Sequence, residues 1–302
     1  MKTLRQLALV ADLVAFAVVS LGSWTRIHAA GLTCPDWPTC HGRLVPAMAG
    51  GTLWEWMHRL LALLLAPLIV AIAVRAYRER LRSALLLPTA ALIVALFLVQ
   101  VGLGAATVDL DNTPISVVLH WGTAMALIAA ILALAIFAGD EPGELRSSRG
   151  RASMLHVAAL GTTVAVAFLT MCIGAYVSSS GAGLACLSIP GCAGNVVVYT
   201  PGQIVQMLHR LSAAGTLLCA TVAFALIWMK PHAQRVRLWT GIGFSLVFIQ
   251  VILGLLNVAL RLPTDLREVH AVNAALVFLA FVSATAFALL DAPPAAQARE
   301  IR

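Results

Sequence analysis

Cys34-Pro35-Asp36-Trp37-Pro38-Thr39-Cys40, then Glu55-Trp56-Met57-His58-Arg59-Leu60, then His120-Trp121, is an order that returns later in the chain. The second copy reads Cys186-Leu187-Ser188-Ile189-Pro190-Gly191-Cys192, Gln206-Met207-Leu208-His209-Arg210-Leu211 and His270. The cysteines are offset by 152 residues, the first histidines by 151 and the second by 150. A cysteine pair and two histidines repeated at a near-constant offset read as an internal duplication. Both copies lie in apolar sequence, so the repeat bears on fold and function together and implies two equivalent metal or cofactor sites.

The surrounding composition is that of a membrane protein. The 302 residues are 61% hydrophobic and 11% charged, with mean hydropathy +0.93, where a soluble domain carries about a quarter charged residues. Apolar runs long enough for a bilayer core recur, and they do not alternate with period two, so only helices fit. Eight spans are expected, near 7–27, 53–75, 84–108, 115–138, 153–177, 203–229, 237–260 and 268–290. The predicted fold is therefore an all-α membrane protein of eight transmembrane helices, two tandem four-helix bundles over 1–145 and 146–302.

The net charge of +7 would suggest a nucleic-acid partner in a soluble protein, but its placement follows topology. Lys2 and Arg5, then Arg75, Arg78, Arg80 and Arg82, then Arg146, Arg149 and Arg151, then Lys230, Arg235 and Arg237, and finally Arg299 and Arg302 occupy the termini and alternate connections. The positive-inside rule puts both termini in the cytoplasm and excludes a nucleic-acid role for this charge; the partner it implies is membrane lipid. Arg26, Arg43, Arg59, Arg210, Arg261 and Arg267 remain on the outer side. The first apolar run is longer than a signal-peptide core, and its counterpart at 153–177 cannot be a signal, so a retained helix is expected.

That topology places both cysteine pairs outside, where disulfides persist. Each pair would close a short loop, worth about 2 kcal/mol, either as a staple or as a thiol pair that opens to a ligand or redox partner. Cys172 and Cys219 read as small core residues. His28 and His41 flank the first loop, and His156 and His232 lie at cytoplasmic span ends; these four are read as interfacial. His58, His120, His209 and His270 stand near the outer ends of even-numbered spans, two per half. Ionisable side chains at such depth face the bundle interior and carry a task.

Two imidazoles from facing helices suit the axial positions of a haem. Zinc would need four ligands with more Cys or Asp nearby. A di-iron site matches Glu55-x-x-His58, but Gln206 replaces the second glutamate. Arg59 and Arg210 could pair with haem propionates or snorkel to headgroups. Glu55 against Gln206 is the informative asymmetry: a carboxylate on one haem only reads as a general base or water-positioning group.

These residues together resemble the heme A synthase family, over roughly 7 to 290, in the cysteine loops, Glu55-x-x-His58-Arg59, His120-Trp121, His209-Arg210 and His270. The resemblance implies an oxidoreductase of the bacterial cell membrane that oxidises the C8 methyl of haem O to a formyl group, giving haem A for cytochrome c oxidase. It implies haem b on His209 and His270, substrate haem on His58 and His120, Glu55 as the essential glutamate, and disulfides Cys34–Cys40 and Cys186–Cys192. Haem O synthase would be the supplier of substrate; the electron donor, the formyl oxygen source and the oligomeric state, a homo-oligomer included, stay open. The histidines alone would equally serve a di-haem b-type cytochrome that relays electrons, while a transporter of duplicated fold lacks broken helices at the histidine level.

Overall fold

A computed structural model of the chain describes residues 2–139, 153–192, 194, 198–229 and 234–291. Among the described residues the chain forms α1 (Lys2–Ile27), α2 (Gly51–Arg78), α3 (Leu86–Asp109), α4 (Pro114–Phe137), α5 (Met154–Ser179), α6 (Pro201–Met229), α7 (Gln234–Ala259) and α8 (Thr264–Asp291), with a 3-10 turn at Ala182–Leu184. All eight helices are long and apolar enough to cross a membrane. Each expected span is one of them. The boundary expected between the two bundles, at 145/146, lies outside the described residues, as do Arg146, Arg149, Arg151, Lys230, His232 and the tail from Ala292 with Arg299 and Arg302.

α4 and α8 are the most enclosed helices and pack on one another; α1 and α3 flank α4, and α5 and α7 flank α8. The sequence of α8 explains its central place, because it is apolar on two opposed stripes. Ala275, Phe278, Leu279, Val282 and Ala286 join the core built by α1–α4, whereas Val277, Phe281, Ala284 and Ala288 join the core of α5–α7. An apolar cleft of about 440 Å³ opens between α3, α4, α5 and α8, lined by Leu92, Ala126, Gly161 and Phe168 among others.

Local chemistry ends the helices where the sites require it. Between α3 and α4 the chain reverses through Asp111 and Asn112 (φ 50° and 53°), and between α7 and α8 through Arg261 and Leu262 (φ 60° and 61°). Both reversals close with the same bond, Asn112 N–H to Thr107 O (2.8 Å) and Leu262 N–H to Asn257 O (2.7 Å). Asp and Asn adopt left-handed backbone readily; Arg261 and Leu262 are held there by the same reversal without that advantage. At the other end of the molecule Ser153 caps α5 and His156 closes the capping box, with the Ser153 N–H donating to His156 Nδ1 at 3.0 Å. His156, read from sequence as interfacial, is a buried cap. Cys172 and Cys219 correct a second expectation: they are half-buried rather than core. Cys219 precedes fully buried Ala220, and adjacent helical residues point in different directions.

Candidate functional site

Both cysteine pairs lie at disulfide distance, Cys34–Cys40 with Sγ–Sγ 2.01 Å and Cys186–Cys192 with 2.07 Å. Both loops carry a cis proline at the matching place, Trp37-Pro38 and Ile189-Pro190. In the first loop the Asp36 carboxylate accepts from the Thr39 hydroxyl and from the His41 and Gly42 N–H groups at 2.5 and 3.0 Å. The Thr39 hydroxyl first, then the backbone donors, hold the Asp36 carboxyl below the usual carboxylate range. His41 is exposed, and exposed His28 stacks on Trp24 with ring centres 3.8 Å apart; both fit the interfacial reading.

Glu55 is buried beneath this loop. Its Oε2 accepts from the Cys34 N–H and the Thr33 hydroxyl, each at 2.9 Å, and its Oε1 from Arg59 Nη2 at 2.7 Å. Gln206 takes the same place in the second half: Oε1 accepts from the Cys186 N–H at 2.5 Å, while Nε2 donates to Gly183 O at 2.7 Å. The amide thus reproduces the bond to the loop's first cysteine, without the charge and without the hydroxyl and arginine contacts of Glu55.

Arg59 and Arg210, for which the sequence leaves propionate pairing and headgroup contact open, reach their own cysteine loops. Arg59 donates to the carbonyls of Asp36 (2.6 Å), Thr39 (2.7 Å) and Cys34 (3.1 Å) as well as to Glu55. Arg210 donates to the carbonyls of Ser188 (2.7 Å), Gly191 (2.8 Å) and Cys186 (2.7 Å). Both guanidiniums are spent on pinning their cysteine loops, not directed toward a ring held by the histidines. The physical reason is helical spacing. Neighbouring residues do not share a face, so Arg59 diverges from His58 and falls on the face of Glu55, four residues back.

The four histidines meet glycines that the sequence reading overlooked. A Cβ on Gly22 would fall 2.7 Å from Cε1 of His58, and one on Gly174 would fall 2.8 Å from Cε1 of His209. For Gly104 against His120 the distance is 3.4 Å, and for Gly254 against His270 it is 3.3 Å. Each even-numbered helix therefore lays its imidazole on a bare stretch of the preceding helix. The signal was legible: Gly22 and Gly174 are 152 apart, Gly104 and Gly254 are 150 apart.

Polar neighbours orient the rings. His58 Nδ1 lies 3.0 Å from the Val18 carbonyl, which only accepts, so Nδ1 carries the proton and Nε2 keeps its lone pair. His120 has Gln100 Nε2 at 3.1 Å from Nδ1, and His270 has Gln250 Nε2 at 3.2 Å from Nε2. Gln250 is fixed in turn by Asn273, whose Nδ2 donates to its Oε1 at 2.8 Å. Within each half the two rings lie in electrostatic range of one another, His120 of His58 and His270 of His209.

This donor set answers the metal question raised by the sequence. Among the described residues no three His, Cys, Asp or Glu side chains converge as a metal cluster. A flat iron macrocycle needs only two axial donors. His270 Nδ1 is buried without a hydrogen-bond partner, a costly state for a polar group. Paired imidazoles and glycine cradles fit haem.

The sequence profile of a family described as cytochrome oxidase assembly protein, COX15-CtaA, matches residues 5–52 and 48–282. Proteins named Heme A synthase are similar over most of their length. That of Bacillus pumilus is 28% identical, covering 89% of each chain. That of Bacillus licheniformis is 26% identical, covering 89% of this chain and 91% of its own. That of an Exiguobacterium species is 30% identical, covering 77% and 75% respectively.

Proposed function

The chain belongs to the COX15-CtaA family of cytochrome oxidase assembly proteins, and from that membership we propose that it is a membrane oxidoreductase converting haem O to haem A. Its place is haem A biosynthesis for cytochrome oxidase, as the names of its relatives indicate. The C8 methyl becomes a formyl group. Haem b is the resident cofactor, haem O synthase the supplier of substrate, and an electron donor of unassigned identity the redox partner. The cysteine loops and histidines face the outer side of the cell membrane.

The observation that carries this reading is Glu55 beside Gln206. Two halves with matching imidazoles, glycines, loops and arginines differ at the residue one turn before the first histidine. An electron relay needs no carboxylate at one site alone. We place substrate haem on His58 and His120, within residues 1–145, and haem b on His209 and His270, within 146–302. The bound haem iron supplies the oxidising chemistry that no side chain can. His58, with its proton fixed on Nδ1 by Val18, presents Nε2 as ligand. Glu55, one turn away on the same face, accepts the proton released at Oε1 or Oε2 as the methyl carbon is oxidised. Arg59 keeps that carboxylate in position.

The test is the haem content of the purified protein and of cells expressing it together with a haem O supply. Haem A or a hydroxylated intermediate supports the synthase. Haem B alone, at full occupancy of both sites, supports the electron-relay cytochrome instead.

A further inference from the structure

With Arg59 and Arg210 committed to the loops, the acidic edge of each ring needs other partners. A haem held between helices can turn its carboxylates only outward, because below the histidine level lie Leu65, Ile69, Met125 and Ile128, all buried and apolar. Two cations stand outward of that level, on the inner faces of α1 and α8. Arg26 is one turn beyond Gly22, on which the His58 ring rests. By helical rotation it points between Gly22 and Ser23, and the Ser23 hydroxyl donates to Glu268 Oε2 of α8 at 2.8 Å. Arg267 precedes His270 by three residues, one turn outward on the same flank.

The two arginines meet at the junction of the halves. Arg26 Nη2 donates to Ser178 Oγ of α5 at 3.0 Å, and Arg26 lies in electrostatic range of both Arg267 and Glu268. Among the described residues neither guanidinium joins an ion pair. Arg26 has one nearby carboxylate, that of Glu268, already engaged by Ser23, and the half-buried Arg267 adds a second guanidinium within its range, which leaves unmatched positive charge. The repeat does not supply it twice: Ser178 stands opposite Arg26, 152 residues on, and Val117 stands 150 residues before Arg267. Each half thus has one such arginine, taken from a different helix.

We propose that Arg26 and Arg267 receive the propionate carboxylates of the two haems, Arg26 that of the ring on His58 and His120, Arg267 that of the ring on His209 and His270. This rests on the reading above that both histidine pairs hold haem.

The experiment titrates the purified protein, and its Arg26→Gln and Arg267→Gln variants, with protohaem and with protohaem dimethyl ester, following the Soret band. The wild type is expected to favour the diacid by at least about tenfold, the scale of a charge-assisted bond. Each variant loses that preference at one site through weaker binding of the diacid, with binding of the ester unchanged. Lysine at either position restores part of it. A variant keeping the wild-type preference for acid over ester overturns the assignment, as does a wild type without one. Should a glutamine variant bind neither haem, the lysine variant decides: a preference for the diacid, in whole or in part, supports the assignment, and none overturns it. A wild type that binds neither haem instead overturns the underlying haem reading.

Discussion

His58 rests on Gly22: a Cβ at that glycine would come within 2.7 Å of the ring carbon Cε1. Real side chains do not approach so closely, so an alanine there must move either the helix or the imidazole. Gly174 crowds His209 to the same degree, at 2.8 Å, whereas Gly104 and Gly254 leave 3.4 and 3.3 Å. Gly22→Ala and Gly174→Ala are therefore expected to strip haem from their own half, each losing most of one equivalent per chain. Gly104→Ala and Gly254→Ala should keep most of theirs. Haem-to-protein ratios of the four variants decide it, and equal losses, or none, would sink the cradle.

The eight helices and both histidine pairs were legible because the apolar runs are continuous and the repeat is spaced almost uniformly. The arginines were not. Arg59 and Arg210 sit beside histidines in sequence, yet adjacent positions on a helix diverge by about 100°, and only the folded loops reveal carbonyls waiting for them. The glycines could have been found by carrying the offset from histidines to α1, α3, α5 and α7. Asn273 could not, since Thr123 occupies its counterpart position and no repeat announces it.

Glu55→Gln recreates in the first half the arrangement that Gln206 already sustains in the second. The amide oxygen can accept the Cys34 N–H as Gln206 accepts that of Cys186. The loop and both haems should stay in place. Formation of haem A should fall by about 10²–10⁴-fold, the range for loss of a positioned base. Chromatography of extracted haem alongside the absorbance spectrum separates the two readouts, and normal haem A production would refute the role given to Glu55.

Removing Arg59 leaves a buried carboxylate without its ion partner, since the pair is largely shielded, 15% and 6% exposed. Arg59→Met is expected to cost about 3–5 kcal/mol, against about 1–3 kcal/mol for Arg210→Met, which deletes bonds to carbonyls alone. Either change frees the cysteine loop. Its disulfide should then yield to milder reductant, and the thiols should react with a membrane-impermeant maleimide added outside intact cells. Labelling only after the membrane is opened would reverse the proposed orientation.

The two glutamines beside the second histidine of each half differ in how firmly they are held. Gln250 is locked by Asn273, which also donates to Leu246 O at 3.1 Å. Gln100 Oε1 is buried with no hydrogen-bond partner, because Thr123 stands where Asn273 would. A locked amide suits a ring that stays, and an unlocked one suits a ring that enters and leaves, which is the division of labour between cofactor and substrate. Asn273→Thr should leave Gln250 as loose as Gln100, costing about 1–3 kcal/mol for the orphaned oxygen and hastening haem loss from the second half. Thr123→Asn should do the converse and slow release from the first. Competition with apomyoglobin gives both rates. If Asn273→Thr left haem loss unchanged, the amide would have no part in holding the ring.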